Sequence, residues 1–316
     1  MWLALVLPLV ACDVLTPVAA VPVPPARPAG LGAEEAPQTP PPQSQASQNL
    51  MRYYAALQRD LLGRGLMRTD GGGPDTPYSP DDVARNFEQI AFFDEYGENS
   101  GLTGTPSSQR GAEGRLGRWR GPVRVQLEFG PSVPPGRQAR DAPLVGDFVT
   151  RLARLTGHPI TQSSRNPNFH VFVAGLDDRA FLAERLSELA PQMRPEQRRA
   201  FLDPPRSIQC LVLAFSNARA PQEYGRAIAL VRAEHPDLSR LACFHEELAQ
   251  GLGLANDSPQ ARPSIFNDDD EFALLTTQDE LLLQMLYDPR LTPGMTAAQA
   301  RPVTRIIARD LMGLAL

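Results

Sequence analysis

Hydrophobic positions change period several times along the chain, and each change marks an element. Residues 123 to 129, VRVQLEF, alternate with period two and predict a half-buried strand, and FHVFVAG at 169 to 175 predicts a second. Between them APLVGDFVTRLARLTG has helical spacing that ends at Gly157, and helical patterns return over 179 to 202. CLVLAFS at 210 to 216 and AIALVRAE at 227 to 234 flank a turn-rich spacer and predict a hairpin. A helix with a charged centre follows. Then come a polar loop, a helix in TTQDELLLQMLYDP with Thr277 and Glu280 spaced as a capping box and stopped by Pro289, and a last helix from about Ala297. Strands ahead of a central helix, with a mainly helical C-terminal part, predict an α+β fold.

Upstream, two helices are expected, one in LMRYYAALQRDLLGRG ending near Gly63 and one in SPDDVARNFEQIAFFDEY, where Ser79 is the N-cap and Pro80 the first helical residue. A Gly- and Ser-rich loop follows from Gly97 to Gly117, and nothing in residues 51 to 120 carries a catalytic motif. Residues 21 to 50 are rich in Pro, Gln, Ser and Ala and have too few large apolar side chains to fold, so they predict an extended tether. The first 20 residues, MWLALVLPLVACDVLTPVAA, have an apolar run too short to span a bilayer but suited to a signal peptide. LVAC at 9 to 12 resembles a bacterial lipobox, which implies lipid attachment at Cys12, although the segment before it has no Arg or Lys. Cleavage after Ala20 is the rival. The expected layout is signal peptide over 1 to 20, tether over 21 to 50, helical extension over 51 to 120 and the main domain over 121 to 316.

Composition narrows the classes. A net charge of −5 without a basic run argues against a nucleic-acid partner. All 31 cationic residues are Arg, which has little bearing on function. With Cys12 lipidated, Cys210 and Cys243 remain as an even pair in an oxidising envelope, where a disulfide is expected; two buried free thiols are the alternative.

Candidate chemistry lies in CFHEELAQGLGLANDS, residues 243 to 258. It begins like the zinc helix H-E-x-x-H, but Ala249 stands where the second His belongs. On a wheel at about 100° per residue, Leu241, Phe244, Leu248, Leu252 and Ala255 form the core stripe, while Glu246, Gln250 and Gly253 cluster opposite. His245 falls at the stripe edge, as a boundary or core residue. Shifted by one residue, E-E-x-x-Q-x-x-G-x-x-N-D is similar to the metzincin signature H-E-x-x-H-x-x-G-x-x-[HD]. That resemblance implies metal positions at Glu246, Gln250 and Asn256 or Asp257, a general base at Glu247, and a turn at Gly253. The same resemblance implies Met285 as a counterpart of the methionine turn, although Met285 falls in a predicted helix. All of these ligands are oxygen donors or a neutral amide, whereas zinc prefers imidazole and thiolate. Glu246, Glu247 and Gln250 read equally well as a solvated helix face. FNDDDE at 266 to 271 lacks the spacing of a calcium loop.

The longer run from Glu246 through LLLQMLYDPRLTPGM, with RTDGGGPDTPYSPDDVARNFEQIAFFDEY and RLARLTGHPI upstream, resembles the bacterial family called domain of unknown function 2927 over roughly residues 50 to 310. For fold this implies a zincin-like mixed sheet with a central active-site-type helix. Three functions follow as expectations. The leading one is an envelope lipoprotein, anchored by its N-terminal lipid alone, that binds a peptide or envelope partner on a degenerate metallopeptidase scaffold. The others are an active peptidase using a divalent metal ion and a structural lipoprotein without a ligand.

Overall fold

The computed structural model describes residues 42–94, 112–217, 219–267 and 269–314. Cys12, the signal segment and most of the tether therefore lie outside the described residues. Helix α1 (Gln45–Gly63) begins inside the segment expected to be tether, so residues 45 to 50 belong to the folded part. Ser44 caps it, its hydroxyl accepting from the Ser47 N–H, and Tyr54 and Leu61 are buried. Helix α2 (Pro80–Ala91) starts as the sequence predicts, with a Ser79–Asp82 capping box and Pro80 in the first turn. Two short strands, β1 (Phe93–Asp94) and β2 (Ala112–Glu113), pair antiparallel.

The main sheet contains β3 (Val123–Phe129), β4 (Ile160–Gln162), β5 (Phe169–Ala174), β6 (Cys210–Asn217) and β7 (Ala220–Arg232), in the order β4-β3-β5-β7-β6. Only β6 runs antiparallel, as the expected hairpin with β7; the other pairs are parallel. Helix α3 (Pro135–Thr156) connects β3 to β4 and ends at Gly157, which takes the left-handed conformation that a residue without a Cβ adopts at low cost. It starts seven residues before the expected segment, carrying Pro143 within it.

Alternation along the strands divides two apolar layers. Val123, Val125, Phe169, Val171, Val173, Ala227, Ala229 and Val231 pack with α2, α3, α6 (Asp237–Gln250), α7 (Thr277–Leu286) and α8 (Ala297–Leu311). Phe172, Ala174, Leu211, Ile228 and Leu230 pack on the opposite face with α4 (Arg179–Leu189) and α5 (Pro195–Leu202). Covered on both faces, β5 is buried at every position. The chain is thus a mixed α and β fold built on a five-stranded mixed sheet.

Residues 39–316 form one compact unit, and no division falls at residue 120. The reason is packing: Val83, Phe87 and Ile90 of α2 share the core of α7 and α8, so the expected helical extension is part of the main body. No described helix is long and apolar enough to cross a membrane. The α7 cap is shifted one residue from the predicted pair: Thr276 is the N-cap and Asp279 its partner, since the Thr276 hydroxyl accepts from the Asp279 N–H.

Candidate functional site

Helix α6 follows β7 directly, and three ties fix it. At its N-terminus Arg240, 1% exposed, donates to Asp141 of α3 at 2.7 and 2.8 Å, to Asp237 at 2.9 Å and to the His235 carbonyl. One turn on, Cys243 forms the expected disulfide with Cys210 at the start of β6, holding the edge strand against the helix. Next along the chain, His245 stacks on Phe148 with ring centroids 3.9 Å apart and accepts from the Leu275 N–H at 3.1 Å. Burial, with Arg151 nearby, pushes the His245 imidazole down to about 3, so it is neutral and acts as a core residue.

The opposite side of α6 is not a solvated face. Glu247 is 2% exposed and Gln250 7%, and Glu246 is half-buried. Helical spacing put Glu246 and Gln250 on one side of the wheel, but β6 and the chain beyond α6 close over that side. The helix ends at Gln250, so the wheel does not extend to Leu252 and Ala255; Leu252 is buried from a turn. In that turn the Gly253 N–H donates to the Gln250 carbonyl, and φ of Gly253 is +132°. A Cβ there would lie 2.4 Å from the Gly117 carbonyl oxygen, so both backbone angle and space require glycine, as the motif implied. Two residues that no motif flagged clamp the same turn. The Trp119 indole donates to the Gly251 carbonyl at 2.8 Å and the Tyr287 hydroxyl to the Leu252 carbonyl at 3.1 Å.

The implied ligand positions divide into two groups. Cys210 Sγ, Glu246 and Glu247 each offer a ligand atom, all within 4.8 Å of one another, and Glu246 Oε2 is 3.8 Å from Cys210 Sγ. Further along, Gln250 donates to Asp257 Oδ1 at 3.4 Å. Asn256 has a different job: its backbone N–H donates to the Ile90 carbonyl, and its side-chain amide to the Gln89 and Asp257 carbonyls, tying the loop to the end of α2. Met285 is fully buried within helix α7, so it forms no methionine turn.

Donor chemistry tests the fit to zinc. The sulfur of Cys210 is bonded to Cys243 and is no thiolate. What remains are carboxylates and two amides whose nitrogens already donate within the protein, without an imidazole. A tetrahedral zinc centre wants nitrogen or thiolate ligands and a vacant position for water, and these residues do not supply them. Of the other histidines, His170 is held by Glu128 in β3 at 2.8 Å and His235 by the Gln209 carbonyl at 2.9 Å, and neither belongs to the group of ligating side chains at Cys210. Among the described residues the group of three metal-ligating side chains is the one at Cys210.

The family model described as protein of unknown function (DUF2927) matches residues 80–306. No curated protein and no solved structure matches the chain.

Proposed function

The chain belongs to the DUF2927 family of proteins of unknown function, and from that premise we propose that it is a metallopeptidase-like scaffold of the bacterial cell envelope that binds an extended peptide segment of a partner without cleaving it. The observation that carries this reading is β6. It lies at the edge of the main sheet, and no described strand pairs with its outer side. Such an edge presents N–H and C=O groups on which an extended peptide adds as a further strand. The disulfide keeps this edge beside the half-buried Glu246, a carboxylate suited to a partner with basic or amide groups. A helix behind a mixed sheet, ended by a glycine turn, supports the zincin-like reading of the architecture. The oxygen-only donor set supports binding over hydrolysis.

Placement in the envelope rests on the lipobox-like LVAC and on the disulfide, a bond that persists in oxidising compartments. Lipid on Cys12 would hold the domain at the membrane.

The test has two parts. Elemental analysis of protein isolated without chelator is expected to find no stoichiometric metal, and a photo-crosslinking residue at Ser216 on β6 is expected to capture a partner through one defined peptide segment. Glu247→Gln should leave that capture intact. Stoichiometric metal, with peptide hydrolysis lost in Glu247→Gln, would establish the peptidase reading instead.

A further inference from the structure

Away from α6, helices α2 and α8 enclose a cleft of about 550 Å³, within the range of ligand sites. Its walls are charged. Asp81, Arg85 and Glu88 come from α2, and Arg301, Arg305 and Arg309 from α8, so four arginines face two carboxylates on a chain whose net charge is −5. Glu88 holds Arg301 through both carboxylate oxygens, and Arg85 pairs with Asp82 outside the cleft. Arg305 and Arg309 are exposed, and among the described residues neither has an ion pair. The floor is small or polar, with Ala84 and the Thr304 hydroxyl buried.

Spacing sets the class of ligand. Arg301, Arg305 and Arg309 recur every four residues, so they stand in a row about 6 Å apart along α8. In an extended peptide, side chains on one face recur about every 6.6 Å. Arg301 is taken by Glu88, so a peptide with carboxylates on alternate residues meets Arg305 and Arg309 in step, and each of these two guanidinium forks matches a carboxylate. Asp81 on the other wall repels a uniformly anionic chain but accepts the N–H and hydroxyl groups that alternate with the carboxylates. We infer that the α2–α8 cleft is a docking site for an extended acidic peptide segment with Asp or Glu at every second position. This site shares no residue with the α6 and β6 groove, and it stands whether or not that groove binds a peptide.

Fluorescence anisotropy with a labelled Glu-Ser-Glu-Ser-Glu peptide tests it, in low salt because exposed charges are screened at high ionic strength. The full chain is expected to bind this peptide at least tenfold more tightly than Glu-Glu-Glu-Ser-Ser, and the double substitution Arg305→Glu, Arg309→Glu should remove that binding. Both side chains are exposed, so thermal unfolding of the double variant should match the parent and exclude a folding defect. Equal affinity for the two peptides, no binding by the parent, or binding unchanged in the double variant would overturn the assignment. Stronger binding of short polyphosphate than of the alternating peptide would also overturn it, by showing a site for dense anions.

Discussion

His245 shows how one position changes meaning between sequence and structure. As the first letter of an apparent zinc helix it suggested a ligand, and its place at the edge of the apolar stripe already argued for the core. His235 is its counterpart at the end of β7: 1% exposed, against the Tyr54 ring with centroids 4.1 Å apart, it is pushed down by burial and by Arg232 and Arg240 to about 4. Both imidazoles are neutral in the fold and take up a proton near pH 6.5 once unfolded. Their contribution is therefore complete above pH 6.5 and is lost as the pH falls towards 4. Each proton adds about 1.4 kcal/mol of lost stability per pH unit. Buried Asp279, pushed up to about 6, works with the opposite sign in the same window, so the check is a difference: between pH 6.5 and 4 the urea-unfolding stability of the parent should fall more steeply than that of His245→Leu, by about one proton's slope. The same variant strands the Leu275 N–H and should cost about 1–3 kcal/mol at pH 7. Gly253 was legible as a turn from the motif, but the carbonyl of Gly117 that enforces it was not, because the contact joins positions far apart in sequence. Gly253→Ala should lower stability by at least about 2 kcal/mol in the same assay, from strain at positive φ and the clash together.

Elements were legible where local chemistry defines them. The caps of α2, the αL glycine after α3 and the two long hairpin strands follow from neighbours in sequence. Strand β4 was not, being three residues long with two exposed. The first turns of α3 were hidden because Pro143 reads as a helix start, whereas the helix begins at Pro135, where a proline is permitted, and runs on through Pro143. The polar face of α6 was legible as a face but not as a buried one, since its cover comes from β6 and the turn beyond the helix. Among the ties on α6, the Arg240–Asp141 pair is the deepest, with both side chains almost wholly inaccessible. Removing one partner leaves an uncompensated buried charge, so Asp141→Ala should cost about 3–5 kcal/mol, measured by urea denaturation at pH 7. The double replacement Asp141→Leu, Arg240→Met should recover part of that loss, because paired apolar groups need no compensation.

At the scale of the whole molecule, the α+β class was legible and the two-sided sheet was not. The apolar run of β5, interrupted by His170 alone, carried the signal, since parallel strands read as continuous hydrophobic runs. Helix α1 was expected to precede the main domain and is instead built into it. The Ser47 hydroxyl donates to the buried Glu234 carboxylate, whose pKa burial raises, the Tyr54 hydroxyl donates to the Arg206 carbonyl, and Gln58 accepts from Ser239 on α6. A chain starting at Arg64 should accordingly melt several degrees below one starting at Thr39, by circular dichroism, as the apolar surface of Leu238 and Ala242 that packs on α1 is exposed.

The Cys210–Cys243 bond spans 33 residues and encloses β6, β7 and the first half of α6. Under tension applied at the two ends of the chain, that loop is short-circuited: the load passes through the sulfur bridge, and the enclosed strands feel none of it. Stretched fully, those 33 residues would reach about 110 Å. A single molecule pulled in an optical trap should therefore lengthen by about that much more after reduction than before, whereas Glu246 and Glu247, which lie beyond Cys243, stay on the loaded path in either state.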